Sequence, residues 1–462
     1  MIKVDEQRSS VKVSGKYLTA EKAVERRNLS FVRIVVGVPD AAARVSGLTI
    51  TDQNGGSIPY KKFGTGEYVA EADFGRWDYE IDIAPQKDPR STAHISWVSD
   101  KCGILMLDDL LPQSSKSAGN STVRIMVPEG WKIVSTEKRV DPDTFEVRNI
   151  QKAIFLIGRD LRETKVSAGI SFLNVVTSGD WLFSDAESGR SVEEISKEYS
   201  ELFGSSLTGN SQIAIFPFPQ KEIQKGTWEA ETRGGSVLIV SADMPFKTQS
   251  LQRLQEQLRH EIFHLWLPNG VNLSGNYDWF YEGFALYQSL KAGVALNQIR
   301  FEDFLETLSR AHNIDSMQTR RLSLIDASKE RWNGADTQVY ARGMLAAFLC
   351  DLSLLQSSKG KKSVGDLFRD LFNSHRPPKP VSEANATIVE LFANYPPLTT
   401  IVETYIKGSE TIDWQVQLGA AGIESEPGNT QANLRVKAKL NGGQKALLDK
   451  LGYNNWRKLA RK

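Results

Sequence analysis

The run His260-Glu261-Ile262-Phe263-His264 restricts this chain more than any other stretch. In an α-helix a four-residue step returns to nearly the same face, about 6 Å further along the axis, so two imidazoles at that spacing converge on one ion. Glu261 is turned by roughly 100° from His260, which keeps its carboxylate off the metal but close to a metal-bound water, where a general base belongs. Leu258, Ile262, Phe263, Leu265 and Trp266 supply an apolar face, and the pattern predicts a buried helix over 248–266. Only five histidines are present, at 94, 260, 264, 312 and 375, so chance is a poor account of two of them bracketing a Glu.

Two imidazoles leave a catalytic zinc site incomplete, because such sites take three protein donors and keep a fourth position for water. Glu282, in Asp278-Trp279-Phe280-Tyr281-Glu282-Gly283, is the expected third donor. Pro268-Asn269-Gly270 ends the first helix, 272–276 reads as loop, and Asp278 is placed to N-cap a second helix carrying Glu282. Two antiparallel helices joined this way set Glu282 opposite the histidines. The expectation is one Zn²⁺ per chain, held by His260, His264 and Glu282, with Glu261 as the base.

These two segments resemble the zinc metallopeptidases whose third ligand is a Glu, the gluzincins, and within them the glycyl aminopeptidase family, a relative of the aminopeptidase N family. Ser323-Leu324-Ile325-Asp326-Ala327-Ser328, Trp332, Tyr340-Ala341-Arg342-Gly343-Met344-Leu345 and Cys350-Asp351-Leu352 follow that family's order of segments. Tyr405-Ile406-Lys407-Gly408-Ser409-Glu410 and Leu418-Gly419-Ala420-Ala421-Gly422-Ile423 resemble its closing segment, so the similarity runs from about residue 228 to residue 423. The separation of His264 from Glu282 is shorter than in that family, and no room follows residue 423 for its PDZ-like domain. The resemblance implies that Tyr340, in Tyr-x-Arg-Gly where the relatives have Tyr-x-Lys-Gly, donates to the oxygen of the scissile carbonyl. It also implies that a Glu on an edge strand holds the substrate's α-amino group. Glu229 fits the Gly-x-x-Glu spacing from Gly226, Glu231 fits better when counted back from Leu238, and alternation puts both on one strand face.

At 462 residues the chain has room for two or three domains. With 57 Lys and Arg against 56 Asp and Glu, no global field favours nucleic acid or an anionic membrane, and neither is expected as a partner. No apolar stretch reads as long enough to span a membrane. Cys102 and Cys350 make no disulfide framework, and Cys350 reads as a small buried hydrophobe. The polar start lacks an apolar signal core, so a cytoplasmic location is expected, with secretion or a periplasmic location the alternative if a signal peptide was removed.

The fold class expected is multidomain α+β. Residues 1–175 read as a β-rich sandwich or saddle, with strands at 31–36, 94–98, 123–127 and 153–157. Residues 176–375 read as a thermolysin-like zinc domain with a capping-box helix from Ser191 to about Phe203, and strands at 212–217 and 236–241. Helices are expected at 301–312, 339–356 and 364–372. Residues 376–462 read as a helical C-terminal region, helical over 382–425 and ending in the basic run 457–462. His94 is expected to be a hydrogen-bonded structural residue in a strand, and His312 and His375 to be uninvolved in metal binding. The function expected is zinc-dependent hydrolysis of peptide substrates by an aminopeptidase. An endopeptidase without amino-terminal anchoring, or a catalytically inactive binding protein on the same fold, are the alternatives.

Overall fold

The computed structural model describes residues 1–17, 27–113, 121–168, 171–207, 209–425 and 432–455; the basic run 457–462 lies outside them. The architecture is α+β, with sheets followed by a predominantly helical region. The chain divides into two compact units.

The first unit comprises the described residues of 1–167, 171–190 and 209–253, and three of its four sheets stack. The middle one has four strands and shows why the layers form. Its strand Ile154–Gly158 is buried throughout, as a sheet covered on both faces requires. Because successive side chains alternate, Phe155 and Ile157 join the core of the seven-stranded sheet, with Val13, Ile81, Ile125 and Phe145. Ile154 and Leu156 point the other way, to Ala214, Phe216, Leu238 and Val240 of a five-stranded sheet. That last sheet runs Arg162–Ala168, Ser171–Thr177, Ser211–Pro217, Ser236–Ser241, Trp228–Arg233. Ser211–Pro217 pairs in parallel with both neighbours, and Trp228–Arg233 closes the edge antiparallel to Ser236–Ser241. Glu229 and Glu231 therefore stand on an edge strand, opposite Val240 and Leu238.

Three local expectations need correction here. Residues 31–36 form no strand: Gly37, with φ +72°, reverses the chain so that Val35 and Val38 exchange backbone hydrogen bonds in a tight turn. His94 lies in a turn after Pro89–Ser91, and the strand is confined to Trp97–Val98. The helix expected from Ser191 starts earlier and spans Asp185–Phe203. Its capping box is Ser184 with Glu187, whose side chains each bond the other residue's backbone N–H, which leaves Ser191 inside the helix.

The second unit comprises 191–207 and the described residues from 254 onward. Its central helix, Asp336–Ser357, is buried along most of its length. Contrary to the sequence expectation, this helix is long and apolar enough to cross a membrane by length and composition. Core packing accounts for that hydropathy, as 89% of the apolar window is buried. Phe203, Phe263, Phe280, Phe284, Phe368 and Phe392 make a connected aromatic core around it. The expected helices at 301–312 and 364–372 are Phe301–Ser316 and Val364–His375. Residues 382–425 are helical only in part, since Ile423–Ser425 pairs as a strand with Leu434–Val436. Both cysteines are buried and free.

One contact in this unit fixes two elements with unusual closeness. A Cβ placed on Gly283 would lie 2.5 Å from the Cα of Gly343, and one on Gly343 would lie 2.9 Å from the Cα of Gly283. The segment after Glu282 thus touches the central helix backbone to backbone, three residues beyond Tyr340. Neither position has room for a methyl group. Gly283→Ala should therefore force the two apart at a cost of about 1–3 kcal/mol. Chemical denaturation checks this, and an unchanged midpoint would show that the backbones part freely.

Candidate metal centre

The helix carrying the two histidines spans Lys247–Phe263, and His264 lies in the turn just after it. Arg259, buried beside His260, ties this helix to the segment beyond Glu282 by donating to the carbonyl of Ser289 at 3.0 Å and to Gln298 Oε1 at 2.7 Å. Tyr199 adds a hydrogen bond to the Arg259 carbonyl. Glu282 is carried by a π-helical turn, Trp279–Phe284, leading into the helix Ala285–Ala295. The wider i→i+5 turn re-aims side chains relative to a plain helix, a device common at functional sites.

Asp278 is not the N-cap expected. Its backbone is already helical, and its side chain bonds no backbone N–H of the turn. Its carboxylate instead accepts from Tyr281 Oη at 2.8 Å and from Arg331 Nη1 at 2.6 Å. Buried ion pairing outcompetes a cap here, and the N–H of Trp279 is satisfied by Ser328 Oγ at 2.8 Å.

The donor atoms of His260, His264 and Glu282 meet. His260 Nε2 lies 3.0 Å from Glu282 Oε2 and 3.1 Å from His264 Nε2, and His264 Nε2 lies 3.5 Å from the same carboxylate oxygen. Ligands about 2.0–2.1 Å from a tetrahedral zinc stand about 3.3 Å from one another, so these separations fit that ion. His264 Nδ1 donates to the carbonyl of Leu267 at 2.9 Å, which leaves the Nε2 lone pair for a metal. The charge balance points the same way. Asp278 and Glu282 are both buried against the single guanidinium of Arg331, and a cation at the cluster supplies further positive charge facing Glu282. Three buried donors with room for one ion form a candidate metal site.

Burial pushes the His264 imidazole down and the Glu282 carboxyl up. The bond and charge of Glu282 outweigh burial at His264, and the bonds of His260 and His264 outweigh it at Glu282, so His264 sits above its ordinary value and Glu282 well below. Glu261 is buried, and its charge is felt at His264 and at Tyr340. The Tyr340 phenol is held well above its usual range by burial and by the charge of Glu282, so it keeps its proton and remains a donor.

Sequence reasoning missed Arg331. Its Nη1 donates to Glu282 Oε1 at 3.1 Å as well as to Asp278, its Nη2 donates to Tyr340 Oη, and its Nε reaches Asp336 at 3.2 Å. Its guanidinium also lies over the rings of Trp332 and Tyr340, 4.6 and 5.1 Å from their centroids. The one available signal was its place beside Trp332. Arg342 is fully buried elsewhere in the unit, bonded to Asp315 and to the Glu410 carbonyl.

Glu229 and Glu231 belong to the first unit and differ sharply in their surroundings. Glu231 accepts from Arg233 at 2.7 Å and pairs with His94 Nδ1 at 2.7 Å; burial pushes its carboxyl up, but these partners hold it below the ordinary value. Glu229 has neither hydrogen bond nor ion pair among the described residues, and burial pushes it up to about 7. His94 is thus hydrogen-bonded, as expected, although outside a strand. His312 stacks on Trp414 with centroids 4.1 Å apart, and His375 bonds the carbonyl of Leu371.

No protein-family model matches the sequence, and no curated protein is similar enough in sequence to register. Solved structures do match. An aminopeptidase N family protein from Idiomarina loihiensis is 16% identical, with a TM-score of 0.78 over 92% of this chain and 78% of that one. An M1 zinc metallopeptidase from Deinococcus radiodurans is 16% identical, with a TM-score of 0.53 over 87% of this chain and 90% of that one. A variant of that metallopeptidase, bound to a Tyr-Ser-Ala substrate, matches with the same identity and score over 87% and 92%. The fold of this chain is therefore that of the two-domain M1 zinc metallopeptidases, and the His260, His264, Glu282 cluster stands within it.

The raised carboxyl of Glu229 carries a stability signature. A group whose folded value exceeds its unfolded one contributes fully below the unfolded value, near 4.5, and loses that contribution as pH rises through about 7. Glu229→Gln should therefore gain roughly 1–2 kcal/mol at pH 8, after allowance for partial solvent screening, and nothing at pH 4. Urea unfolding at the two pH values reads the difference, and equal gains at both would contradict the assignment.

Proposed function

We propose that this chain is a zinc-dependent aminopeptidase that removes residues from the free amino end of peptides. The observation that carries the reading is the convergence of His260 Nε2, His264 Nε2 and Glu282 Oε2 at tetrahedral spacing, with Glu261 and Tyr340 close enough to be felt electrostatically. His260, His264 and Glu282 would hold the ion. Zinc, when bound, acidifies a water and polarises a carbonyl. Glu261 accepts the proton of the attacking water and returns it to the leaving amine as the C–N bond breaks, so no covalent enzyme intermediate is needed. Tyr340, protonated at all working pH values, donates to the carbonyl oxygen as negative charge gathers there.

Of the two edge-strand acids, Glu229 is our choice to receive the substrate's α-ammonium, because Glu231 is already satisfied by His94 and Arg233. An incoming ammonium would draw the proton from Glu229, so KM should rise as pH falls below about 7. The order of segments after Glu282 supports placement near the glycyl aminopeptidases.

Metal analysis should find one zinc per chain, and a chelator should abolish cleavage of a free peptide. The same peptide N-acetylated should resist the enzyme. Equal cleavage of both would make the chain an endopeptidase, and neither zinc nor cleavage would make it a binding protein. Glu261→Gln should lower kcat by about 10²- to 10⁴-fold with zinc content unchanged; loss of zinc in that variant would remove Glu261 from the role of base.

A further inference from the structure

We propose that Arg331 is a positioning residue that sets the metal-binding carboxylate of Glu282 and the phenol of Tyr340 in fixed relation to each other. The two oxygens of Glu282 have different partners. Oε2 faces both imidazoles, whereas Oε1 accepts from Arg331 Nη1 at 3.1 Å. A carboxylate held by its outer oxygen offers the metal one atom only, which leaves a corner for water. The opposite nitrogen of the same guanidinium donates to Tyr340 Oη. With one lone pair of that oxygen taken by Arg331, the phenolic hydrogen is free to point to a substrate oxygen. A guanidinium is planar and rigid, so its two arms fix the separation of the groups they hold.

The guanidinium is itself restrained. Asp278 takes Nη1 at 2.6 Å, Asp336 takes Nε at 3.2 Å, and the guanidinium carbon lies 4.6 and 5.1 Å from the ring centroids of Trp332 and Tyr340. Five partner residues on one side chain are more than neutralising Glu282 requires. Lysine in its place would keep the charge but, with one compact ammonium, could not serve Glu282 and Tyr340 together.

The inference rests on the zinc peptidase reading, and its test separates the two. Zinc dissociation constants, measured by chelator competition, come first. Arg331→Met should bind zinc about 10- to 100-fold more weakly, as loss of an outer-shell partner does elsewhere. The visible spectrum of the Co²⁺-loaded protein should change as Glu282 turns. Arg331→Lys should recover zinc affinity to within a few fold. Zinc affinity and Co²⁺ spectrum unchanged in Arg331→Met overturn the inference whether or not the chain cleaves peptides.

With zinc saturating, kcat should fall in both variants while KM stays near its wild-type value. Adding Tyr340→Phe to Arg331→Met should cost little more, because the phenol is already misdirected. If Tyr340→Phe lowers kcat by the same factor in both backgrounds, Arg331 does not act through Tyr340. Should Arg331→Met fail to fold, Arg331→Lys alone decides: wild-type kcat in that variant refutes the bridging role.

Discussion

Everything in the second unit answers to the problem of gathering like charge in a place that water barely reaches. Asp278 and Glu282 are buried against the one guanidinium of Arg331, and Glu261 is buried on the helix that carries His260. Buried charges left unpaired cost several kcal/mol each. The fold aims two imidazoles and one carboxylate oxygen at a common point, where a divalent cation would supply positive charge. The aromatic core, the Arg259 tether and the central helix matter because they hold that point still. A small rotation of the π-helical turn would leave the carboxylate facing apolar rings.

How legible this was from residues alone depended on distance along the chain. His260 and His264 are one turn apart, and Glu282 comes within a single helical hairpin, so spacing and turn signals sufficed to bring them together. Arg331 could not be found that way. It lies 49 residues beyond Glu282, and nothing in its neighbourhood marks it except an adjacent Trp332. Asp278 misled for the opposite reason, since an acidic residue before an apolar run has the form of an N-cap, and only the distant Arg331 and nearby Tyr281 reveal that its carboxylate is otherwise engaged. Choosing between Glu229 and Glu231 needed His94, 137 residues from its partner. Short-range pattern reaches as far as one supersecondary unit and stops there.

The β-rich half reads by the same rule. Strands covered on both faces, such as Ile154–Gly158 and Ser236–Ser241, are continuous apolar runs and were visible as such. The run at 31–36 has more β-branched residues than either but precedes Gly37, whose positive φ turns the chain back on itself. Composition proposes a strand, and backbone geometry at one residue withdraws it. The helix before the five-stranded sheet's second parallel strand shows a subtler limit, because Ser191 and Ser184 both begin a Ser-x-x-Glu pattern and only one of them sits at a helix start.

The contact between Gly283 and Gly343 has a bearing on biosynthesis. A polypeptide emerging from the ribosome has delivered His260, His264 and Glu282 some sixty residues before Gly343. Until the later glycine docks, the carboxylate-bearing turn has no backbone to rest against, and Arg331 has no phenol to grip. A nascent chain of that length holds His260, His264 and Glu282 yet lacks the helix that packs against the turn carrying Glu282. The surroundings of the cluster are in this way completed only when the central helix packs against a turn made well before it.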